Sequence, residues 1–139
     1  MLFLKVMKRA LTLIELLMVA ILIGIMAAMA LSNYSKHLER GRGREAEANL
    51  ALIYNAQKRY RLDNNIYFTC APNCTADSIN ENLTLNIQDA YFNYSIGSSG
   101  SNESGFIAIA TRRDRDCQGK IMSITDNGGP AQKECPAWQ

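Results

Sequence analysis

The sequence predicts an α+β fold: a long N-terminal α-helix, first a hydrophobic stalk and then amphipathic, packed on a small antiparallel β-sheet head. The prediction follows from three features. An uncharged apolar run covers 16–31, residues with helical spacing follow it without a break, and three segments with strand-like alternation fill the C-terminal half. At 139 residues the chain has room for one small domain beside the apolar run.

The first 31 residues combine a basic start with the apolar run. Lys5, Lys8 and Arg9 lie in the first segment, whereas 16–31, with the residues leading into it, is about long enough to span a bilayer. The basic residues predict that the N-terminus stays in the cytoplasm and that everything beyond the run is exported. The predicted divisions are a leader peptide at 1–10, a transmembrane helix at 11–31 and an exported head at 32–139.

Beyond the apolar run the helix is expected to continue, because no proline or serine-rich linker interrupts the chain. Gly41 and Gly43 mark a weak or bendable place, since each costs up to about 1 kcal/mol of helix propensity relative to alanine. A helix from Leu11 to about Asp63, where turn-forming residues follow, would be ~80 Å long. The residues at three- and four-residue spacing, predicted to cover the sheet, are Leu50, Ile53, Tyr54, Gln57 and Tyr60.

The C-terminal half is predicted to be a loop followed by an antiparallel meander. Residues 66–85 are polar and rich in turn formers, which favours an irregular connecting loop. Strand-like runs follow at 90–96, 105–111 and 120–125, and one face of their sheet is expected to pack on the helix. The aromatic residues interpreted as core packing are Tyr54, Tyr60, Tyr67, Phe92 and Tyr94.

All four cysteines lie in the half of the chain that is predicted to reach an oxidising compartment. They are interpreted as two disulfides and not as metal ligands, because His37 is the only histidine. Three pairings are possible, and the favoured one joins Cys70 to Cys74 and Cys117 to Cys135, the tail folding back to allow the second.

The charge balance gives no general argument for nucleic acid as a primary ligand. Without Lys5, Lys8 and Arg9 the 15 basic residues fall to 12, against 13 acidic ones. The sequence shows no serine–histidine pair with a plausible elbow, no phosphate-binding loop and no metal cluster, so neither catalysis nor a cofactor is expected.

Two groups of basic residues have competing interpretations. Arg112, Arg113 and Arg115 could contact DNA during uptake, but they alternate with aspartates and are interpreted instead as a solvated, internally paired loop. The basic residues after the apolar run are expected to lie near lipid headgroups in a monomer, or to pair with carboxylates of adjacent helices in a filament. These basic residues are Lys36, His37, Arg40, Arg42 and Arg44, and the carboxylates include Glu39, Glu45 and Glu47.

Glu15 is unusual because it interrupts an apolar segment four residues after Leu11. A charge at mid-bilayer costs at least ~2.5 to 3.5 kcal/mol, so a compensating partner is expected. If the chain is cut after Ala10, the new α-amino group of Leu11 is such a cation. Helices that pack with a lengthwise stagger would place Leu11 of one subunit against Glu15 of its neighbour, which would set their register.

The string RALTLIELL around Glu15 resembles the class III signal of type IV prepilins and pseudopilins. That family has a basic leader ending in Gly, then usually Phe, then Thr-Leu-Ile-Glu; here Thr12–Glu15 matches, while Ala10 and Leu11 depart. The resemblance implies cleavage between Ala10 and Leu11 by prepilin peptidase, N-methylation of Leu11, and roles in assembly for Thr12 and Glu15.

Further likenesses to that family extend along the chain. Gly24 matches a glycine near which family helices can lose hydrogen bonds in the filament, although Ser32 stands where many members have proline. The run 45–67 and the FIAIA segment also resemble pilin heads. The resemblance implies an inner-membrane precursor that an assembly ATPase and a platform protein turn into an extracellular homopolymer.

The preferred interpretation is therefore a structural subunit of a type IV pilus, serving adhesion, twitching motility or DNA uptake. The alternatives are a pseudopilin of a type II secretion system, in a periplasmic pseudopilus, and a membrane-anchored binding domain that never polymerises. A conventional signal peptide cut near Ala28-Met29-Ala30 and a plain membrane anchor are less favoured, because both leave Glu15 without a purpose.

Overall fold

The computed structural model describes residues 12–100 and 104–139, without the side chains of 30–33. It confirms the predicted α+β fold. The main elements, in chain order, are α1 (Leu13–Asn64), α2 (Ala76–Leu83), β1 (Phe92–Ser98), β2 (Phe106–Arg112), β3 (Ile121–Thr125) and β4 (Gln132–Lys133). Two short 3-10 turns cover Arg115–Cys117 and Pro136–Trp138.

The helix α1 is continuous over 52 residues and passes through both Gly41 and Gly43 without a break. The chain divides within it into two compact units, one ending at His37 and the other, here called the head, covering Leu38–Gln139. In the first unit the large apolar side chains are exposed, from Leu13 to Met29. By length and composition α1 can cross a membrane, since its most apolar stretch has a mean hydropathy of 2.6 and is 0% buried.

The prediction of an irregular loop over residues 66–85 is wrong for eight of them, because α2 forms there. Thr75 begins this helix with a capping box: its hydroxyl accepts from the Ser78 amide, and the Ser78 hydroxyl accepts from the Thr75 amide. The usual sequence signature has Glu or Gln at the third helical position, so a serine there gave little signal. Ile79 and Leu83 are buried and hold α2 on the head.

The four strands form one antiparallel sheet in the order β1-β2-β3-β4, which confirms the predicted meander. The sequence did not predict β4, which has only two residues. In one register row Tyr94, Ala110 and Met122 lie side by side, and all three are buried. A small residue between two large ones lets the row fill the core without overpacking.

The C-terminal half of α1 covers the sheet, as its spacing predicted. Leu50 and Ile53 are fully buried, and so is the polar residue Gln57. The Gln57 amide is satisfied by the backbone that follows α1: its Nε2 donates to the Phe68 carbonyl at 2.7 Å, and its Oε1 accepts from the Phe68 amide at 3.0 Å. This double contact directs the chain back along the head after the helix ends.

Candidate functional site

Glu15 is held at the start of α1 by Thr12, the residue just before the helix. The backbone N–H and the hydroxyl of Thr12 each donate to Glu15 Oε2 at 2.9 Å, and the Glu15 amide donates to the Thr12 hydroxyl at 3.4 Å. These contacts form a capping box and satisfy amide groups that the first helical turn leaves open. The Thr-x-x-Glu spacing could have indicated the cap from the sequence alone.

The other residues singled out in the N-terminal part have simpler surroundings. Gly24 lies within the regular helix, and a Cβ there would meet nothing within 4 Å. Packing inside one subunit therefore does not explain a glycine at this position. Ala10 and Leu11, predicted as the cleavage and methylation residues, lie outside the described residues.

The cysteines form two bridges in the head, Cys70–Cys74 and Cys117–Cys135. The first closes a loop along the outer edge of the sheet, where the Cys70 amide donates to the Ile96 carbonyl at 2.9 Å and the Ile96 amide lies 3.3 Å from the Cys74 sulfur. This loop covers an edge that would otherwise be open to pairing. The second bridge ties the C-terminal tail to the turn after β2. Among the described residues, no group of three or more His, Cys, Asp or Glu side chains could hold a metal ion.

Arg112, at the end of β2, is buried and paired with Glu39 of α1. Its Nε donates to Glu39 Oε1 at 2.7 Å, and its Nη2 donates to Oε2 at 3.1 Å. Its Nη1 also lies 2.8 Å from Asp114 Oδ1. The prediction that Arg112 belongs to a solvated loop is therefore wrong, although Arg113 and Arg115 are exposed. Two parallel contacts between a guanidinium and a carboxylate are among the stronger ion pairs in proteins.

The Glu39 carboxyl group is charged because of this arrangement. Burial by itself raises the pKa, but the hydrogen bonds and positive charge of Arg112 outweigh it, with smaller contributions from Trp138 and Arg42. The net result is that the pKa of Glu39 lies below its ordinary value of 4.5. The pair is therefore ionised at neutral pH, inside the head.

Trp138 packs against α1 at Gly43. A Cβ at position 43 would lie 2.6 Å from Trp138 Cδ1 and 2.8 Å from Cγ, which leaves space for glycine alone. The indole N–H donates to Glu39 Oε1 at 3.4 Å, and the ring centroid lies 5.6 Å from that of Phe92. Gly43 therefore permits close packing of the tail on the helix, where the sequence had suggested only a bendable place.

Glu47, a second carboxylate of α1, also forms an ion pair inside the subunit. Lys133 of β4 lies 2.8 Å from Glu47, while Arg42 lies 3.6 Å from Glu39. Glu39 and Glu47 therefore each have a basic partner inside the subunit, and pairing with basic residues of adjacent helices in a filament stays a prediction. Arg40, in contrast, is exposed and forms no ion pair within the described part of the chain.

Near the end of α1, Lys58 and Arg61 converge on one phenolic oxygen. Lys58 Nζ lies 3.2 Å and Arg61 Nη1 lies 2.9 Å from the hydroxyl of Tyr67, and Lys58 also donates to the Asp126 carbonyl at 2.8 Å. Neither forms an ion pair with a carboxylate of the described segments, although the Asp126 charge attracts Lys58 from further away. A cavity of about 410 Å³ adjoins them, lined also by Leu62 and Asn65.

The same two cations perturb the Tyr67 hydroxyl. Burial raises the pKa of this group, but the hydrogen bonds from Arg61 and Lys58 and their positive charges outweigh the burial, so the pKa lies below the ordinary 10.0. The hydrogen bond to Tyr67 in turn raises the pKa of Lys58. Lys58 and Arg61 are therefore held close together as two positive charges, an arrangement that favours the binding of an anion.

A protein-family model described as "Type IV minor pilin ComP, DNA uptake sequence receptor" matches residues 32–135 of the chain. The chain is also 45% identical over 53 residues to the type IV major pilin protein PilA of Myxococcus xanthus (strain DK1622). That stretch amounts to 38% of this chain and to 24% of the relative's length. The family match contains the C-terminal half of α1, the whole sheet and all four cysteines.

Proposed function

Because the chain belongs to the type IV pilins, in the family of the minor pilin ComP, we propose that it is cut between Ala10 and Leu11 and polymerises into a surface pilus. The observation that most directly supports polymerisation is the exposure of the first half of α1. Its large apolar side chains are at least half exposed from Leu13 to Met29, next to a head with a packed core. An apolar surface of this length requires lipid or other protein around it.

Under this proposal lipid covers the apolar run first, and neighbouring subunits cover it later. The precursor is stored in the inner membrane, where lipid covers the apolar run, and the processed subunit then exchanges lipid for the same run of neighbouring copies. Prepilin peptidase, an assembly ATPase and a platform protein carry out these steps, as in other type IV pilins. In the filament the α-amino group of Leu11 neutralises Glu15 of a neighbour.

Glu15 provides the test of assembly. The charge-pair proposal predicts that both Glu15→Ala and Glu15→Gln abolish filaments in sheared surface material viewed by electron microscopy, because both remove the carboxylate charge. Glutamine still suits a capping box, so a role in helix capping alone would leave Glu15→Gln with normal filaments. The mass of the processed subunit must first show an N-terminus at Leu11 in each variant; a wild-type subunit that keeps its leader refutes the proposal.

A second function, contact with DNA, is favoured by the Lys58–Arg61 site together with the family description. Phosphate diesters are bound by lysine and arginine side chains, and these two are held in place by Tyr67 without a carboxylate in ion-pair contact in the described segments. This proposal departs from the sequence-based expectation, which relied on net charge and so could not detect a local pair of cations.

DNA contact is tested with full-length subunits in detergent and a fluorescent duplex. Replacing both Lys58 and Arg61 with glutamine is expected to weaken binding and to reduce the slope of log K against log salt by up to ~1.8, about 0.9 for each phosphate that is no longer neutralised. Lys120→Gln, an exposed cation elsewhere on the head, is the matched control and should change the slope by less than about 0.9. An unchanged slope in the double variant argues against this site.

A further inference from the structure

The free edge of the sheet, along β1, has an open position at Tyr94. The Arg113 amide donates to the Tyr91 carbonyl at 3.1 Å, so the odd-numbered residues of β1 direct their backbone groups towards β2. The backbone groups of the even-numbered residues therefore point to the free edge. There the disulfide loop pairs with Ile96, whose carbonyl accepts from the Cys70 amide at 2.9 Å. The loop leaves Tyr94, two residues earlier, uncovered.

The backbone of Tyr94 is enclosed without being paired. Tyr94 is only 4% exposed, and its hydroxyl accepts from the Asn49 amide of α1 at 2.9 Å. Neither the N–H nor the C=O of Tyr94 has a hydrogen-bond partner among the described residues. An enclosed backbone group without a partner is unfavourable, so these two groups require water or a ligand.

A cavity of about 400 Å³ lies beside Tyr94, which is one of its lining residues. Asn93 and Thr111, opposite each other in the register of β1 and β2, also line it, as does Ser95. Side chains alternate along a strand, so these three point away from the core that holds the Tyr94 ring. Within the described part of the chain their polar groups form no hydrogen bond. The cavity therefore presents donors and acceptors that the subunit itself does not use.

The lining of the cavity favours an uncharged ligand. Among the described residues, no lysine or arginine lines it, and its one acidic residue, Asp89, lies 3.8 Å from Arg113, which offsets the charge. Pro72 and Ala76 add a small apolar surface. Hydrogen-bonding groups of both kinds beside an apolar surface are complementary to a saccharide, whose hydroxyls donate and accept and whose C–H groups are apolar.

An extended peptide fits this edge less well than a compact ligand does. The disulfide loop already occupies Ile96, so an added strand could pair with Phe92 and Tyr94 at most. Strands in proteins usually have three or more residues, and most often five or six. A compact ligand needs only the open groups of Tyr94 and the cavity beside them.

We propose that this cavity binds a neutral saccharide. The N–H of Tyr94 and the side-chain amide of Asn93 donate to its oxygens, and the Asp89 carboxylate accepts from its hydroxyls. The site lies entirely within the head, so binding depends neither on cleavage of the precursor nor on polymerisation.

The test uses labelled full-length subunits on an array of immobilised neutral and sialylated oligosaccharides, in a detergent that has no sugar headgroup. The wild type is expected to bind at least one neutral oligosaccharide. Asn93→Ala combined with Thr111→Ala should weaken that binding at least ~10-fold, because two hydrogen-bonding side chains are lost. Ser123→Ala removes a hydroxyl from the same face of the sheet outside the cavity, and should change the affinity by less than about 2-fold.

The salt dependence of binding identifies the class of ligand. A neutral saccharide should bind with nearly the same affinity in roughly 0.05 M and 0.5 M salt, because no ion pair is screened. A steep loss of affinity with salt, or a preference for the sialylated probes, shows that the ligand is charged and overturns the proposal.

The proposal also fails if the wild type binds no neutral oligosaccharide, if the double variant binds normally, or if Ser123→Ala weakens binding equally. Emission of the single tryptophan, Trp138, verifies the folded head of each variant. If the double variant does not fold, Asn93→Ala alone replaces it, since Asn93 is exposed, and the expected loss is about 3-fold or more.

Discussion

Replacing Glu39 with alanine is expected to destabilise the head by about 2–4 kcal/mol, because the Nε and Nη2 donors of the buried Arg112 guanidinium then lose their acceptor and Asp114 alone still pairs with it. The substitution removes both hydrogen bonds between the two side chains, which measure 2.7 and 3.1 Å. It also removes the acceptor for the indole N–H of Trp138. The measurement is urea unfolding of the full-length chain in detergent, followed by the fluorescence of Trp138.

Two controls separate the ion pair from a general effect of the substitution. Glu45→Ala removes an exposed carboxylate from the same helix and should change the unfolding free energy by no more than about 0.5 kcal/mol. Glu39→Leu combined with Arg112→Met removes both charges and should recover much of the stability, since no unpaired charge remains in the core. A destabilisation below about 1 kcal/mol in Glu39→Ala would contradict a strongly coupled buried pair.

The pair also makes the stability of the head depend on pH. Because the pKa of Glu39 in the folded head lies below its ordinary 4.5, the stabilisation is complete above pH 4.5 and is lost as the pH falls through the folded pKa. The acid part of the stability profile should therefore be shallower in Glu39→Ala than in the wild type.

Gly43→Ala is expected to destabilise the head by about 1–3 kcal/mol, despite the higher helix propensity of alanine. The added methyl group would lie 2.6 Å from the Trp138 ring, so the tail must move away from α1. Trp138 is 5% exposed in the native head, and its displacement would shift its emission to longer wavelength. Thermal unfolding monitored by this emission measures both effects in one experiment.

Gly41→Ala is the matched control, two residues away on the same helix. A Cβ at position 41 meets nothing within 4 Å, so only helix propensity acts, and the substitution should stabilise by up to about 1 kcal/mol. The two variants are therefore expected to change the stability in opposite directions. If both stabilise, Trp138 does not need the space above Gly43.

The capping box formed by Thr12 and Glu15 shows that one local sequence pattern can have two roles. Its Thr-x-x-Glu spacing was visible in the sequence and was interpreted only as part of a processing and assembly signal. The structure shows that the carboxylate also accepts two hydrogen bonds at the start of its own helix. A substitution at Glu15 thus affects the cap and any charge pairing together, which is why the comparison of alanine with glutamine is informative.

The sequence by itself determined the long helix, the strand segments and their antiparallel order, because these depend on spacing between near neighbours and on short connections. The apolar run and its break at Glu15 were equally local. Helix α2 and strand β4 escaped: Ser78 in place of Glu or Gln gave the capping box of α2 a weak signature, and β4 has only two residues.

Only the tertiary structure decided which charges and aromatic rings meet. Arg112 lies 73 residues from Glu39, and Trp138 lies 99 residues from it, so no periodicity could have indicated that all three share one buried site. In the sequence Arg112 stands among aspartates, which suggested a solvated loop, and Gly43 looked like a flaw in a helix. Burial decides the role of such residues, because the effect of a charge or a glycine on stability depends on which groups the fold places in contact with it.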